Sequence, residues 1–167
     1  EAVRSLRTDI MLSSIDQPHK IVVVTSTLPG EGKSTVSLNL AEALGQMEKV
    51  LLIEADLRKP VLARALKIPL DTPGLSALVS GQAELKACIT SLPERGFDVI
   101  VAGALPGNPQ ELLSSKRLNI MLQALKRHYD RIVIDTPPTQ PVSDTLVLSK
   151  FADAVIYVVK AGDTPLR

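Results

Sequence analysis

Apolar residues follow two patterns along the chain, which are unbroken runs and positions spaced as on a helix. Unbroken runs of mainly Val, Ile and Leu predict strands buried on both faces at 21–24, 50–53 and 131–134. Further apolar runs predict strands at 97–102 and 154–159 and a short edge strand at 87–92. Helical spacing predicts helices at 1–13, 33–44, 116–128 and 143–150, with short helical segments at 61–66, 75–79 and after Pro109. Strands that alternate with helices are typical of an α/β fold.

The aliphatic composition narrows this prediction to a parallel sheet covered by helices. Of the 167 residues, 45% are hydrophobic but only 2% are aromatic, which favours a parallel sheet over an antiparallel sandwich. This length suits a single domain over residues 1–167. The chain begins at Glu1 without Met and stops directly after a strand-like run. We therefore expect a fragment that lacks the C-terminal end of its domain.

Charge and cysteine content exclude several kinds of site. The net charge of +1 gives no reason to expect nucleic-acid binding or a polybasic membrane surface. The single cysteine, Cys88, excludes an internal disulfide and a CxxC metal pair, and we interpret it as a core residue. One cysteine also suits a reducing compartment. No apolar run reaches the length of a membrane span, and no signal peptide is visible.

The segment KIVVVTSTLPGEGKST, residues 20–35, has the order strand, glycine-rich turn and helix start. In this arrangement the backbone N–H groups of the turn and the helix N-terminus favour a bound phosphate. Lys33 would reach the β- and γ-phosphates, and the Ser34 hydroxyl would ligate Mg²⁺. Thr27 stands where the full phosphate-loop pattern has its first glycine, and an ordinary strand-to-helix turn with a solvated lysine is the alternative.

Carboxylates follow two of the other predicted strands. Glu54 and Asp56 come after the strand at 50–53, and alternation in an extended chain places them on the same side. One would orient Mg²⁺ and the other would accept a proton, or else the pair would serve as a helix N-cap with a salt bridge to Arg58. Asp135 ends another buried strand, where an aspartate of phosphate-loop proteins holds Mg²⁺.

Charged residues also recur near the start of the chain. Glu1, Arg4 and Arg7 lie three apart, so they share one side of the first predicted helix. Spacing alone favours a solvated charged face.

Five segments together resemble one known family. They are ExxRxxR (Glu1, Arg4, Arg7), PGEGKS (29–34), LLIEADLR (51–58), IVIDTPP (132–138) and NPQELL (108–113). This set resembles the cytoplasmic domain of the bacterial protein-tyrosine kinases of capsule and exopolysaccharide export, in the deviant Walker superfamily, over essentially the whole chain. Partition and cell-division ATPases of that superfamily carry an extra lysine early in the loop, where this chain has Leu28.

The resemblance implies a fold and a set of site residues. The fold is a P-loop NTPase-like three-layer sandwich with a mainly parallel central sheet and helices on both faces. ATP would be bound by Pro29, Gly30, Glu31, Gly32, Lys33, Ser34 and Thr35. Ser34, Asp56 and Asp135 would hold Mg²⁺, and Lys33, Glu54, Asp56 and Asp135 would be catalytic. Glu54 replaces the usual Asp as the acceptor of the tyrosine proton, and Glu1, Arg4 and Arg7 would dock against a neighbouring subunit of a ring.

The implied activity is transfer of the ATP γ-phosphate to tyrosines of neighbouring subunits, which regulates capsule or exopolysaccharide synthesis and export. The implied location is the cytoplasmic face of the bacterial inner membrane, with a membrane-anchored activator or a transmembrane region on the same protein. A tyrosine-containing protein would be the substrate, and no nucleic-acid partner is implied. Two alternatives remain, a regulatory ATPase switch of the export complex without kinase activity and a ring that uses nucleotide only for assembly.

Overall fold

The protein is an α/β unit in the computed structural model, which describes residues 1–139 and 144–161. The strands are β1 (Ile21–Ser26), β2 (Val50–Glu54), β3 (Thr90–Leu92), β4 (Phe97–Ile100), β5 (Arg131–Asp135) and β6 (Ala154–Val158). The helices are α1 (Ala2–Ser13), α2 (Lys33–Gly45), α3 (Leu62–Ala65), α4 (Leu75–Ser80), α5 (Leu85–Cys88), α6 (Pro109–Leu113), α7 (Lys116–Leu125) and α8 (Asp144–Ser149).

One sheet holds all six strands in the order β3-β4-β2-β5-β1-β6. Every neighbouring pair is parallel except β3 and β4, which are antiparallel at the edge. The central strands β1, β2 and β5 are buried along their whole length, as their unbroken apolar runs predict.

Alternate residues of the central strands point into two separate cores. Ile21 and Val23 of β1 join the core with α4 and α7, whereas Val22 and Val24 join the core with α1 and α2. Helices therefore cover both faces of a mainly parallel sheet, which confirms the predicted three-layer fold.

Several predicted boundaries change for identifiable reasons. The segment predicted as an edge strand from residue 87 begins as helix α5, and only Thr90–Leu92 pairs with β4. The strand predicted to reach 102 ends at Ile100, because the carbonyl oxygens of Val101 and Ala102 accept hydrogen bonds from the start of α4. Helix α7 ends at Leu125 rather than 128, and residue 143 of the last predicted helix lies outside the described residues.

The fold places the carboxyl ends of β1, β2 and β5 side by side. Val24 of β1 is in register with Asp135 of β5, and Asp135 is in register with Glu54 of β2. Open parallel sheets bind ligands at this edge. The glycine-rich turn after β1 therefore lies next to the acidic ends of β5 and β2.

Candidate active site

The turn between β1 and α2 has the backbone shape of an anion cradle. Gly30 and Gly32 have φ angles of 78° and 84°, in the left-handed region that favours glycine. No atom lies within 4 Å of the position that a Cβ would take at either glycine, so both face open space. Successive residues in such conformations turn their N–H groups toward one point.

Helix α2 adds further donors at the same point. Its first residue is Lys33, and its N-cap, Gly32, has no side chain to accept a hydrogen bond from the first turn. The first turn contains no acidic residue either. The open N–H groups and the helix dipole therefore remain available to an anion.

Asp135 is anchored beneath this turn by α2. Ser34 Oγ donates a hydrogen bond to Asp135 Oδ2 at 2.8 Å, and Ser37 Oγ lies 3.2 Å from Oδ1. The Asp135 side chain is fully buried. Burial raises the pKa of Asp135, while Lys33 and the two serine hydroxyls oppose that rise.

The Lys33 side chain lies between two carboxylates, Asp135 at the end of β5 and Asp56 just after β2. Its Nζ lies 3.3 Å from Asp56 Oδ2 and 3.7 Å from Asp135 Oδ1. The other Asp56 oxygen accepts the backbone N–H groups of Arg58 and Lys59, at 3.3 Å and 3.0 Å. Asp56 is therefore held with one oxygen toward Lys33 and the other toward the chain that follows it.

A cavity of about 470 Å³ opens above these groups, a size within the usual range for small-molecule sites. Six of the seven predicted loop residues and Asp56 line it. Arg58, Lys59, Val61, Pro137 and Pro138 line it as well. These five were not predicted as site residues, although all except Lys59 and Val61 lie within segments that carried the family resemblance.

The donor set fits a Mg²⁺–nucleotide. Ser34, Asp56 and Asp135 offer the oxygen ligands that Mg²⁺ prefers. Among residues 1–139 and 144–161, no group of three or more His, Cys, Asp and Glu side chains forms a metal cage. Mg²⁺ in phosphate-transfer sites is commonly bound through one or two carboxylates and the substrate phosphates, so this set suits it.

Three residues predicted to bind ATP, hold Mg²⁺ or act in catalysis do not line the cavity: Asp135, which is fully buried beneath the turn, Glu31 and Glu54. The Glu31 carboxylate is mostly buried and accepts a hydrogen bond from the Leu28 N–H at 3.0 Å, so its side chain folds under the loop instead of lining the cavity. Any part of Glu31 in phosphate binding is therefore restricted to its backbone.

Glu54 is also absent from the cavity lining, contrary to the sequence-based expectation. It is only 1% exposed, and its carboxylate accepts backbone N–H groups from Val61, Leu62 and Ala102. Burial raises the pKa of Glu54 despite these hydrogen bonds. The alternative interpretation, a helix N-cap, is wrong in the strict sense, because the N-cap of α3 is Val61, but Glu54 does accept the N–H groups at the start of that helix.

Arg58 does not pair with the neighbouring acids as that alternative supposed. Its Nε lies 2.9 Å from Asp144 Oδ2 and its Nη2 lies 3.3 Å from Oδ1. The Asp144 side chain is fully buried. Nothing in the local sequence of Asp144 indicates this contact. Ser37, in contrast, is one helical turn beyond Lys33, so helical spacing would have placed it on the same face.

The residues of the ExxRxxR segment lie away from the cavity, Glu1 as the N-cap of α1 and both arginines within that helix. Glu1 and Arg4 are exposed, whereas Arg7 is partly buried and donates from Nη1 to the Ala43 carbonyl and to Gln46 Oε1. Arg7 therefore already contributes to packing between α1 and α2.

The fold and this site define an α/β nucleotide-binding protein of the phosphate-loop class. A family model described as an AAA domain matches residues 19–166. The tyrosine-protein kinase YwqD of Bacillus subtilis is 39% identical over 165 residues, which cover 98% of this chain and 69% of that protein. The tyrosine-protein kinase Etk of Escherichia coli is 36% identical over 163 residues, which cover 97% of this chain but only 22% of that protein.

Solved structures with a similar fold include a protein of the same kind. The kinase domain of VpsO superposes with a TM-score of 0.92 and 44% identity, over 98% of this chain and 81% of that one. The septum site-determining protein MinD of Pyrococcus horikoshii, solved with Mg-ADP, superposes with a TM-score of 0.70 and 27% identity, over 84% and 57% of the two chains. The chain belongs to the family of bacterial tyrosine-protein kinases, as its motifs predicted.

Proposed function

We propose that this chain is the catalytic domain of a protein-tyrosine kinase that transfers the γ-phosphoryl group of ATP to a tyrosine, mainly on a neighbouring copy. The observation that carries the proposal is the convergence of Lys33, Ser34, Asp56 and Asp135 beside the glycine turn. Relatives of this chain that bear the name tyrosine-protein kinase support the choice of tyrosine as acceptor.

Catalysis would consist mostly of positioning and charge neutralisation. The N–H groups of the glycine turn and of the α2 N-terminus hold the triphosphate, and Lys33 neutralises charge on its β- and γ-phosphates. Mg²⁺, held by Ser34 and Asp135, would neutralise the remaining phosphate charge. The tyrosine oxygen forms a bond to the γ-phosphorus as the bond to ADP breaks. Asp56, the predicted carboxylate that lines the cavity, is then left to receive the tyrosine proton.

The substrate tyrosine would come from outside the described residues. Within them, Tyr129 is 6% exposed and donates a hydrogen bond to Asp98 at 2.6 Å, so it is not accessible to a second active site. Tyr157 is 53% exposed but lies in strand β6. We propose a tyrosine-containing tail or partner protein as the acceptor.

The wider role follows from the family resemblance. We propose regulation of capsule or exopolysaccharide synthesis and export at the cytoplasmic face of the inner membrane. A membrane-anchored activator, or a transmembrane region on the same protein, would hold the domain there. No helix among the described residues combines the length and the apolar character that crossing a bilayer requires.

A second candidate is a regulatory ATPase switch, which the likeness to MinD with Mg-ADP favours. One experiment separates the two functions. The full-length protein is incubated with ATP and Mg²⁺, and phosphotyrosine and free phosphate are measured separately. A kinase gives phosphotyrosine that is lost in Lys33→Met. Free phosphate without phosphotyrosine would overturn the kinase proposal in favour of the switch.

The ring proposal rests on α1. Arg4 is exposed, and its side chain makes no hydrogen bond or ion pair within the described residues, so it is free to contact a second copy. Arg4→Ala should shift the full-length protein toward monomer in analytical ultracentrifugation, whereas the exposed control Arg127→Ala should not. An unchanged sedimentation profile for Arg4→Ala would contradict the interface. Arg7→Ala is less decisive, because it also removes contacts to α2.

A further inference from the structure

Glu54 connects three segments of backbone through one carboxylate. Its Oε2 accepts hydrogen bonds from Val61 N and Leu62 N at 2.8 Å and 2.7 Å, and its Oε1 accepts one from Ala102 N at 3.0 Å. Both oxygens are therefore occupied. The residue is 1% exposed, so a substrate hydroxyl has no path to either oxygen.

These three donors lie at two separate places in the fold. Val61 is the N-cap of helix α3 and its side chain has no hydrogen-bond acceptor, and Leu62 is the first residue of that helix. Ala102 follows β4, next to β2 in the sheet. The first-turn N–H groups of a helix need an acceptor from elsewhere when the N-cap provides none. Glu54, at the end of β2, supplies that acceptor and ties α3 to the sheet.

The segment that Glu54 holds is a wall of the cavity. Arg58, Lys59 and Val61 line the cavity, and all three lie between the end of β2 and the start of α3. Asp56 fixes the beginning of this segment by accepting the N–H groups of Arg58 and Lys59. Glu54 fixes its far end at Val61. The wall is therefore held at both ends by carboxylates, only one of which reaches the cavity.

We infer that Glu54 is a positioning residue that holds the 58–61 wall of the nucleotide cavity, and that it does not accept the tyrosine proton. This inference rests on the proposed kinase function for its kinetic tests, but its binding and exchange tests need only nucleotide. The longer side chain is required here. Asp would end about 1.5 Å short, one carbon–carbon bond, and would lose contacts that are 2.7–3.0 Å long.

Two substitutions separate a positioning residue from a base. Glu54→Gln keeps the reach and can still accept from Val61 and Leu62, but its amide group would face the Ala102 N–H, so about one hydrogen bond is lost. We expect kcat within about threefold of wild type and a KM for ATP raised by about three- to tenfold. Glu54→Asp should raise that KM further. If Glu54 were the general base, the opposite result would be expected. Glu54→Gln would lower kcat by about 10²-fold or more, whereas Glu54→Asp would largely keep it.

The experiment measures kcat and the KM for ATP by phosphotyrosine formation in the full-length protein. A fluorescent ATP analogue gives nucleotide affinity, and amide hydrogen exchange reports on residues 58–62. The exposed Glu84→Gln is the matched control. Faster exchange at 58–62 and weaker nucleotide binding in Glu54→Asp, with β1 and β5 unchanged, would support the inference. If Glu54→Asp does not fold, the same measurements on Glu54→Gln alone test the inference.

The inference is overturned if Glu54→Gln loses kcat by more than about 10²-fold while its KM, nucleotide affinity and exchange match wild type. A wild-type protein that binds nucleotide but makes no phosphotyrosine would instead contradict the proposed function. In that case affinity and hydrogen exchange still test whether Glu54 holds the wall, so the two failures remain distinguishable.

Discussion

Replacement of Lys33 by Met tests the electrostatic centre of the site, because two buried carboxylates face this ammonium group. At separations of 3.3 Å and 3.7 Å, each ion pair is worth about 5 kcal/mol before desolvation, with an effective dielectric constant of about 20. Desolvation offsets much of this energy. Removal of one partner of a buried ion pair typically costs about 3 kcal/mol in free energy of unfolding, and we expect that loss for Lys33→Met without nucleotide.

The loss of free energy of unfolding in Lys33→Met should depend on pH, and the direction follows from Asp135. Burial raises the pKa of Asp135 above its unfolded value of about 3.9, and Lys33 opposes that rise. Without Lys33 the pKa of Asp135 rises further. When a carboxyl group has a higher pKa in the folded state than in the unfolded state, the folded protein becomes less stable as pH rises from the unfolded pKa to the folded pKa. The deficit of Lys33→Met should therefore be larger at pH 8 than at pH 5.

Denaturant unfolding at the two pH values measures this difference, with the exposed Lys86→Met as control. A loss of 3 kcal/mol corresponds to a melting temperature lower by roughly 6–12 °C for a domain of this size. ATP with Mg²⁺ at 100 times its dissociation constant should stabilise wild type by about 2.7 kcal/mol and the variant by much less. Phosphotransfer by the variant should be undetectable.

Two results would refute this reasoning. Equal stability of wild type and Lys33→Met at pH 8 would mean that the ammonium group does not compensate Asp56 and Asp135. Wild-type phosphotyrosine formation by the variant would mean that Lys33 does not contact the transferred phosphate.

Two further substitutions test groups outside the phosphate loop. Tyr129→Phe removes the 2.6 Å hydrogen bond to Asp98 and should lower the free energy of unfolding by about 2 kcal/mol, with nucleotide affinity unchanged. Burial, with Asp98, raises the pKa of Tyr129, so its contribution is complete below the unfolded pKa of about 10. The difference between Tyr129→Phe and wild type should therefore shrink as pH rises above 10, and a constant difference in denaturant unfolding would contradict this. Asp144→Asn weakens the contact to Arg58. It should raise the KM for ATP about threefold and lower the free energy of unfolding by about 1 kcal/mol. An unchanged KM would show that Arg58 does not need Asp144 to shape the cavity.

The sequence predicted the parts of the site that follow from local pattern. Buried runs ending in Asp135 and a glycine turn before Lys33 are local features, and parallel strands bring their ends to one edge of the sheet. The contacts between Lys33 and the two aspartates follow from that arrangement, and the structure contains both of them.

The parts that could not be predicted depend on how distant segments return to the site. Alternation placed Glu54 and Asp56 on one side, but it could not indicate that Val61 and Leu62 fold back over Glu54. Asp144, 86 residues beyond Arg58, is a partner that no local pattern marks. In both cases the partner is set by the path of a loop, and short-range periodicity does not determine that path.

The metal position can be measured directly in a crystal structure of the protein with Mn²⁺ and a non-hydrolysable ATP analogue. The anomalous signal of Mn²⁺ identifies the ion without reference to the protein atoms. We expect one anomalous peak beside Ser34 and Asp135, with the triphosphate against the loop that contains Lys33. A peak away from these residues, or nucleotide bound outside this cavity, would contradict the proposed nucleotide site.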